Sequence, residues 1–176
     1  MRMSVAELAS SLAHLVWESF TDFLERSPIS VPEQDEAGGT AVMAVPAVDP
    51  VEALIFFMWL HTRACQQAFP SSPEQTRQVL DAMHRALYED LEARAIPRVQ
   101  LPLFEQRVSA RYLEYYEAAT NLTEQKVVEV AARHIRPESP GEDTAGHRVV
   151  LGLAESATAT SGPLLDYLKD IQLTDD

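Results

Sequence analysis

The sequence predicts an all-α protein: a single-domain helical bundle of about five to seven helices around one central apolar helix. Cap residues and prolines divide the chain into helix-length segments, and most segments carry an apolar stripe at helical spacing. One segment, residues 49–69, is apolar on every side. The chain has 176 residues and is 46% hydrophobic, which suits one core, so residues 1–176 are taken as a single all-helical domain.

The first predicted helix begins at a capping box, in which Ser4 and Glu7 each satisfy a free backbone donor. The helix is expected to end near Arg26, before Pro28. Its apolar stripe consists of Leu8, Leu12, Leu15, Val16, Phe20 and Phe23.

The connection at residues 27–48 is predicted to be a long irregular loop, because three prolines and the pair Gly38-Gly39 exclude a helix. Three interpretations fit it: a mobile insertion, a segment packed over the core, or a strand-like arm that binds a partner.

The second predicted helix begins at Asp49-Pro50, a cap followed by proline at the first helical position, and stops before Pro70. Its apolar run, residues 53–60, is closed by Glu52 and His61 and is too short to span a bilayer. A helix that is apolar all round needs cover on several sides. We therefore expect it to be the central member of the bundle, or to share one face with a dimer partner.

Three further helices are predicted over 73–96, 102–121 and 124–136, each bounded by a proline or a cap. After a polar loop, Val149–Ala157 begins the last helical region. Ser161-Gly162-Pro163 is expected to break that region and to open a short final helix through Ile171. Residues 172–176 are expected to form a frayed acidic tail.

The chain is strongly acidic, with 27 Asp and Glu against 14 Lys and Arg and a net charge of −13. Such a charge repels phosphate backbones and anionic lipids, so neither nucleic acid nor a membrane is expected as a partner. The acidic surface fits either salt adaptation or a basic partner. The one cysteine, Cys65, and the lack of a secretory signal pattern favour a cytoplasmic location.

Local catalytic motifs are missing from the sequence. It contains no GxxxxGK[ST], GxGxxG, GxSxG or HExxH pattern, so no catalytic residue and no cofactor is predicted. A di-iron bundle would need two Glu-x-x-His pairs, and the nearest match is the single Asp81-x-x-His84. No metal site is predicted.

The side chains that could line a ligand pocket lie on the second and fourth helices. His61 and Cys65 are four residues apart and share a helical face, which favours core packing of Cys65 beside a partly buried His61. The alternative is a reactive thiol, because Arg63 nearby could favour a thiolate at Cys65. Tyrosines combine an apolar body with a polar tip, which suits either a core margin or a pocket rim. The candidate pocket residues are Trp59, His61, Cys65, Tyr112, Tyr115 and Tyr116.

The order of an apolar helix with a Trp, then LDAM and LYEDLEA, then FEQRV and YLEYY resembles the ubiquinol–cytochrome c assembly chaperones. The resemblance covers about Phe56 to Tyr116 and implies a helical fold. A glycine-containing connection would be expected where this chain has Ala95-Ile96-Pro97, and the matching residues are common helix formers. The chain is therefore not assigned to that family.

The sequence favours a non-enzymatic role in protein interaction, assembly or regulation, with an unknown protein partner and a possible homodimer. This expectation depends on many packing features and no catalytic pattern. The alternative is a bundle that binds or converts a small ligand in a pocket beside the second helix.

Overall fold

The computed structural model describes residues 1–27, 48–94, 97–121, 124–136 and 143–174, and the side chains of 121, 124 and 143–148 are also left undescribed. The described residues form six α-helices, one 3-10 turn at Arg98–Gln100 and two short strands. The helices are α1 (Val5–Arg26), α2 (Pro50–Ala68), α3 (Pro73–Arg94), α4 (Leu101–Asn121), α5 (Glu124–Ile135) and α6 (Asp143–Lys169). The predicted all-α bundle is confirmed.

The helix starts follow the cap residues. The Glu7 N–H donates to Ser4 Oγ at 3.2 Å and the Ser4 N–H donates to Glu7 Oε2 at 2.9 Å, which completes the predicted capping box. At the start of α2, Asp49 Oδ1 accepts from the Val51 and Glu52 backbone N–H groups. The Asp49 N–H also donates to the Ile135 carbonyl, which joins the start of α2 to the end of α5.

Helix α2 is the central helix of the bundle. It contacts all five other helices, and thirteen of its nineteen residues are buried. Phe56 and Phe57 are fully buried, and Trp59 is 3% exposed. The apolar surface that suggested a dimer interface is therefore covered by the chain's own helices.

The other large interface joins α1 to α3. There, the Trp17 indole N–H donates to Asp90 Oδ2 at 3.0 Å. The Arg94 guanidinium lies over the Trp17 ring, 5.4 Å from its centroid. This tryptophan therefore has both a carboxylate acceptor and a cation from neighbouring side chains.

The last helix differs from the prediction, because α6 runs without a break from Asp143 to Lys169 with Pro163 inside it. Proline removes one backbone hydrogen bond, and its ring crowds the Cβ of the preceding residue. The preceding residue here is Gly162, which has no Cβ. Leu164 and Leu168 beyond the proline are buried in the core and hold the last turns of the helix.

The chain ends also differ from the prediction. Residues 172–174, which were expected to fray, form strand β2 (Gln172–Thr174) and pair in parallel with β1 (Arg2–Ser4). The two strands are about a whole domain apart in sequence, so no local pattern could indicate their pairing. The predicted loop falls almost entirely on 28–47, outside the described residues, as do residues 175–176.

Candidate functional site: a cavity beside the central helix

The structure does not bring the six candidate pocket residues together. Trp59 and His61 are two residues apart on α2, so their side chains point in directions about 200° apart around the helix axis. Trp59 lines a cavity between α2, α5 and α6, which we call the α2 cavity. His61 lines a separate groove between α1 and α6, which we call the α1–α6 groove.

The α2 cavity has a volume of about 470 Å³. This volume is within the range of small-molecule sites in proteins, roughly 300–1,000 Å³. The residues that line it are Phe56, Trp59, Leu60, Arg63, Ala64, Gln67, Ala119, Gln125, Val127, Val128, Ala154, Ala157, Thr158, Ser161, Gly162 and Leu165.

One face of α2 supplies six of these residues. They are Phe56, Trp59, Leu60, Arg63, Ala64 and Gln67, which recur at three- and four-residue intervals. Residues at this spacing lie on one side of a helix. Small alanines on α4 and α6 face them and leave the space open. This stripe is present in the sequence, but it is hard to see there because α2 is apolar on its other sides as well.

The cavity changes in polarity from its floor to its rim. Phe56, Trp59 and Val127 at the floor are buried, whereas Gln67 and Gln125 are exposed. An apolar floor with a few polar groups at the opening suits a ligand with an apolar body and one polar end.

The Trp59 side chain lies among aromatic rings. Its ring stacks with Phe56 at 6.5 Å between centroids and meets Tyr115 edge-on at 5.6 Å. Trp59 Nε1 and the Tyr115 hydroxyl are buried and have no hydrogen-bond partner among the described residues. Each unpaired buried polar group costs stability, about 1–3 kcal/mol. Native cores leave few such groups, so two of them side by side distinguish this region from an ordinary core.

Arg63 is the one charged residue among the described residues that line the cavity. Its guanidinium carbon lies 5.8 Å from the Trp59 ring centroid, within cation–π range. Among the described side chains, none forms an ion pair or a hydrogen bond with Arg63.

The α1–α6 groove, about 580 Å³ in volume, has His61 as its buried imidazole. His61 Nδ1 donates to the Phe57 carbonyl at 2.8 Å, which leaves Nε2 as the unprotonated nitrogen when the ring is neutral. Burial lowers the pKa of His61 to about 4, although the hydrogen bond to the Phe57 carbonyl opposes this change. His61 is therefore neutral at physiological pH.

Two of the candidate tyrosines are held by hydrogen bonds that do not involve either cavity. His84 Nδ1 donates to the Leu80 carbonyl, so His84 Nε2 accepts from the Tyr112 hydroxyl at 2.9 Å. The Thr62 hydroxyl then donates to the Tyr112 oxygen at 3.2 Å. Burial raises the pKa of Tyr112, which keeps its hydroxyl protonated as this chain of bonds requires. Tyr116 donates to Gln66 Oε1 at 2.7 Å.

The Cys65 thiol is fully buried, and burial raises its pKa to about 12. The thiol is therefore protonated at neutral pH. The buried position agrees with the core-packing interpretation of Cys65 and not with the alternative of a thiolate favoured by Arg63, because desolvation outweighs the effect of a nearby cation.

Sequence reasoning missed a buried ion network that joins α2, α4 and α5. Arg111 donates to both carboxylate oxygens of Glu52, at 2.8 and 3.1 Å, and to Glu114 at 2.9 Å. Glu114 also contacts His134 Nε2 at 2.6 Å. Burial raises the pKa of Glu114, but His134 and Arg111 outweigh it, so the net pKa is lowered. Glu52 had been interpreted only as the polar end of the apolar run.

We interpret this network as structural. It connects three helices through the 4%-exposed Glu52, and a bidentate pair of this kind fixes the relative positions of its helices. Among the described residues, no group of three or more His, Cys, Asp or Glu side chains could hold a metal ion. Within the same residues, no helix has the length and apolar character needed to cross a membrane.

Comparison of the chain with protein-family models, with curated proteins and with solved structures finds no match in any of the three.

Proposed function

We propose that this chain is a small-molecule-binding helical bundle, with its ligand in the α2 cavity. The observation that carries the proposal is a cavity of about 470 Å³ directly against the central helix, with the buried Trp59 in its wall. A central helix covered on all sides would normally leave no such space, since protein interiors are close-packed.

The cavity supports binding rather than catalysis. Among the described residues that line it, none carries a carboxylate, an imidazole or a thiol. General acid–base catalysis needs a group that titrates near the working pH, placed against the substrate. The apolar floor and polar rim are instead suited to holding a ligand in one orientation.

The proposal can be tested with the fluorescent apolar probe N-phenylnaphthylamine. We expect the wild-type chain to bind the probe with enhanced emission, and Ala157→Leu to lose most of that binding because its longer side chain enters the cavity. Ala110→Leu, on the exposed side of α4, is the matched control and should bind as the wild type does. Equal binding by all three proteins would place the probe elsewhere and would contradict the proposal.

A second candidate function, protein interaction, is favoured by a specific surface. Val99, in the 3-10 turn, and Leu103, in the first turn of α4, are 81% and 68% exposed and four residues apart in sequence. Exposed apolar side chains next to each other are typical of contact surfaces. If the chain forms a homodimer, this surface is the candidate interface, since α2 is already covered.

Sedimentation velocity at micromolar concentration tests this second function. Self-association that is lost in the double variant Val99→Ser, Leu103→Ser would support it. If the wild type and the double variant both sediment as monomers, homodimerisation is contradicted.

A further inference from the structure

The charge of the α2 cavity is opposite to that of the chain as a whole. The chain carries 27 acidic residues and a net charge of −13, yet the described residues that line the cavity include Arg63 and no Asp or Glu. A cavity wall chosen at random from such a composition would contain acidic side chains more often than basic ones. Within the described part of the lining, the formal charge is therefore positive, opposite in sign to that of the chain.

The chain contains two tryptophans, and each has an arginine over its ring. At Trp17, the chain supplies a carboxylate as well, because Asp90 accepts from the Trp17 indole N–H at 3.0 Å. At Trp59, the indole N–H has no acceptor and Arg63 has no carboxylate partner among the described residues. The Trp59–Arg63 pair therefore lacks the carboxylate that Asp90 provides beside Trp17.

The position of Arg63 also favours the binding of an anion. The guanidinium carbon of Arg63 lies over the Trp59 ring, 5.8 Å from its centroid, and this cation–π contact favours one position of the side chain. A guanidinium held in this way presents a planar fork of N–H donors, which matches the two oxygens of a carboxylate. The residue lines the cavity and is only partly buried.

We propose that the ligand of the α2 cavity is a small apolar molecule with one carboxylate, which pairs with Arg63 while the apolar body packs on Trp59 and Phe56. This inference rests on the proposed function and specifies its ligand class. The overall negative charge opposes an anionic ligand only at long range, since salt at physiological strength screens exposed charges beyond about 8 Å. The contact with Arg63 acts at hydrogen-bond distance and is screened much less.

The test uses two probes with the same skeleton, cinnamate and cinnamyl alcohol, which differ in the carboxylate. Isothermal titration should show that the wild-type chain binds cinnamate about tenfold or more tightly than the alcohol, as expected for a charge-assisted hydrogen bond. In Arg63→Gln, the affinity for cinnamate should fall to that for the alcohol, with the alcohol affinity unchanged. Arg98→Gln is the matched control and should retain the preference, because the Arg98 side chain is 87% exposed and does not line the cavity.

The outcomes separate the two proposals. Equal affinities of the wild-type chain for both probes would overturn the carboxylate inference and leave the binding function in place. A preference for cinnamate that persists in Arg63→Gln would also overturn it, because another group would be responsible. If neither probe binds and N-phenylnaphthylamine binding is insensitive to Ala157→Leu, the proposed function itself fails. Circular dichroism of each variant confirms that the fold is retained.

Discussion

The buried imidazole of His61 should make the stability of the fold depend on pH between about 4 and 6.5. The folded-state pKa of His61 is lowered to about 4, whereas an unfolded histidine titrates at its ordinary value of 6.5. Between these values the unfolded chain binds a proton at this position and the folded chain does not. Stability therefore rises with pH across this window and is lost on acidification.

The size of the effect follows from the two pKa values. Each pH unit of difference corresponds to about 1.4 kcal/mol, so His61 should lower the free energy of unfolding by about 2 kcal/mol at pH ~5 and about 3 kcal/mol at pH ~4, relative to neutral pH. The imidazole is 1% exposed, so solvent screening reduces this figure little. The pKa of the partly buried His84 is also lowered by burial, and this contribution has the same sign.

The variant His61→Gln isolates the contribution, because glutamine can still donate to the Phe57 carbonyl but does not titrate. Urea unfolding at pH ~7 and pH ~5 should show that the wild type loses about 2 kcal/mol more stability than His61→Gln does. The control His14→Gln removes an exposed imidazole and should follow the wild type. Equal losses in the wild type and His61→Gln would refute the assignment of a buried neutral imidazole.

Three further predictions concern stability and reactivity. Arg111→Met should lower the free energy of unfolding by about 3 kcal/mol in urea titrations, because it leaves the buried Glu52 without its bidentate partner and with Arg107, at 3.8 Å, as its remaining ion-pair partner among the described residues. Pro163→Ala should raise the free energy of unfolding by up to about 3 kcal/mol, since alanine restores the helical N–H inside α6. Cys65 should react with a disulfide reagent such as dithionitrobenzoate only at the rate of unfolding, because its thiol is fully buried and its pKa is raised to about 12.

Each of these predictions has a result that would contradict it. Arg98→Met removes an exposed ion pair with an N–O distance of 3.9 Å and should change stability by less than about 1 kcal/mol. A similar loss in Arg98→Met and Arg111→Met would argue against the buried pair. A destabilised Pro163→Ala would show that the proline ring contributes packing that outweighs the missing hydrogen bond. Rapid labelling of Cys65 in native buffer would contradict its burial.

The parts of the fold that could be predicted are those that depend on local chemistry. Ser4 with Glu7, and Asp49 with Pro50, define helix starts because their side chains bond to backbone groups within three residues. The central place of α2 followed from a continuous apolar run, since such a run needs cover on every side. The continuity of α6 was missed because glycine before proline relieves the clash that normally ends a helix.

The candidate site was predicted only in part, because its residues are defined by the direction of their side chains as well as by residue type. Trp59 was identified, but Arg63 was considered only for its effect on Cys65. His61 faces the opposite side of α2, and Tyr112 is held by His84, twenty-eight positions away in sequence. The pairing of Glu52 with Arg111 spans fifty-nine positions. Contacts at such separations leave no local pattern.

The two indole N–H groups provide the most direct test of ligand binding beside the central helix. In proton–nitrogen correlation spectra, Trp17 and Trp59 give one indole signal each, and assignment requires only the single variant Trp17→Phe. Titration with cinnamyl alcohol should shift the Trp59 signal, through the ring current of a ligand in the α2 cavity, and should leave the Trp17 signal in place at the α1–α3 interface. A Trp59 signal that does not move at saturating probe, or equal shifts of both signals, would contradict a binding site in the α2 cavity.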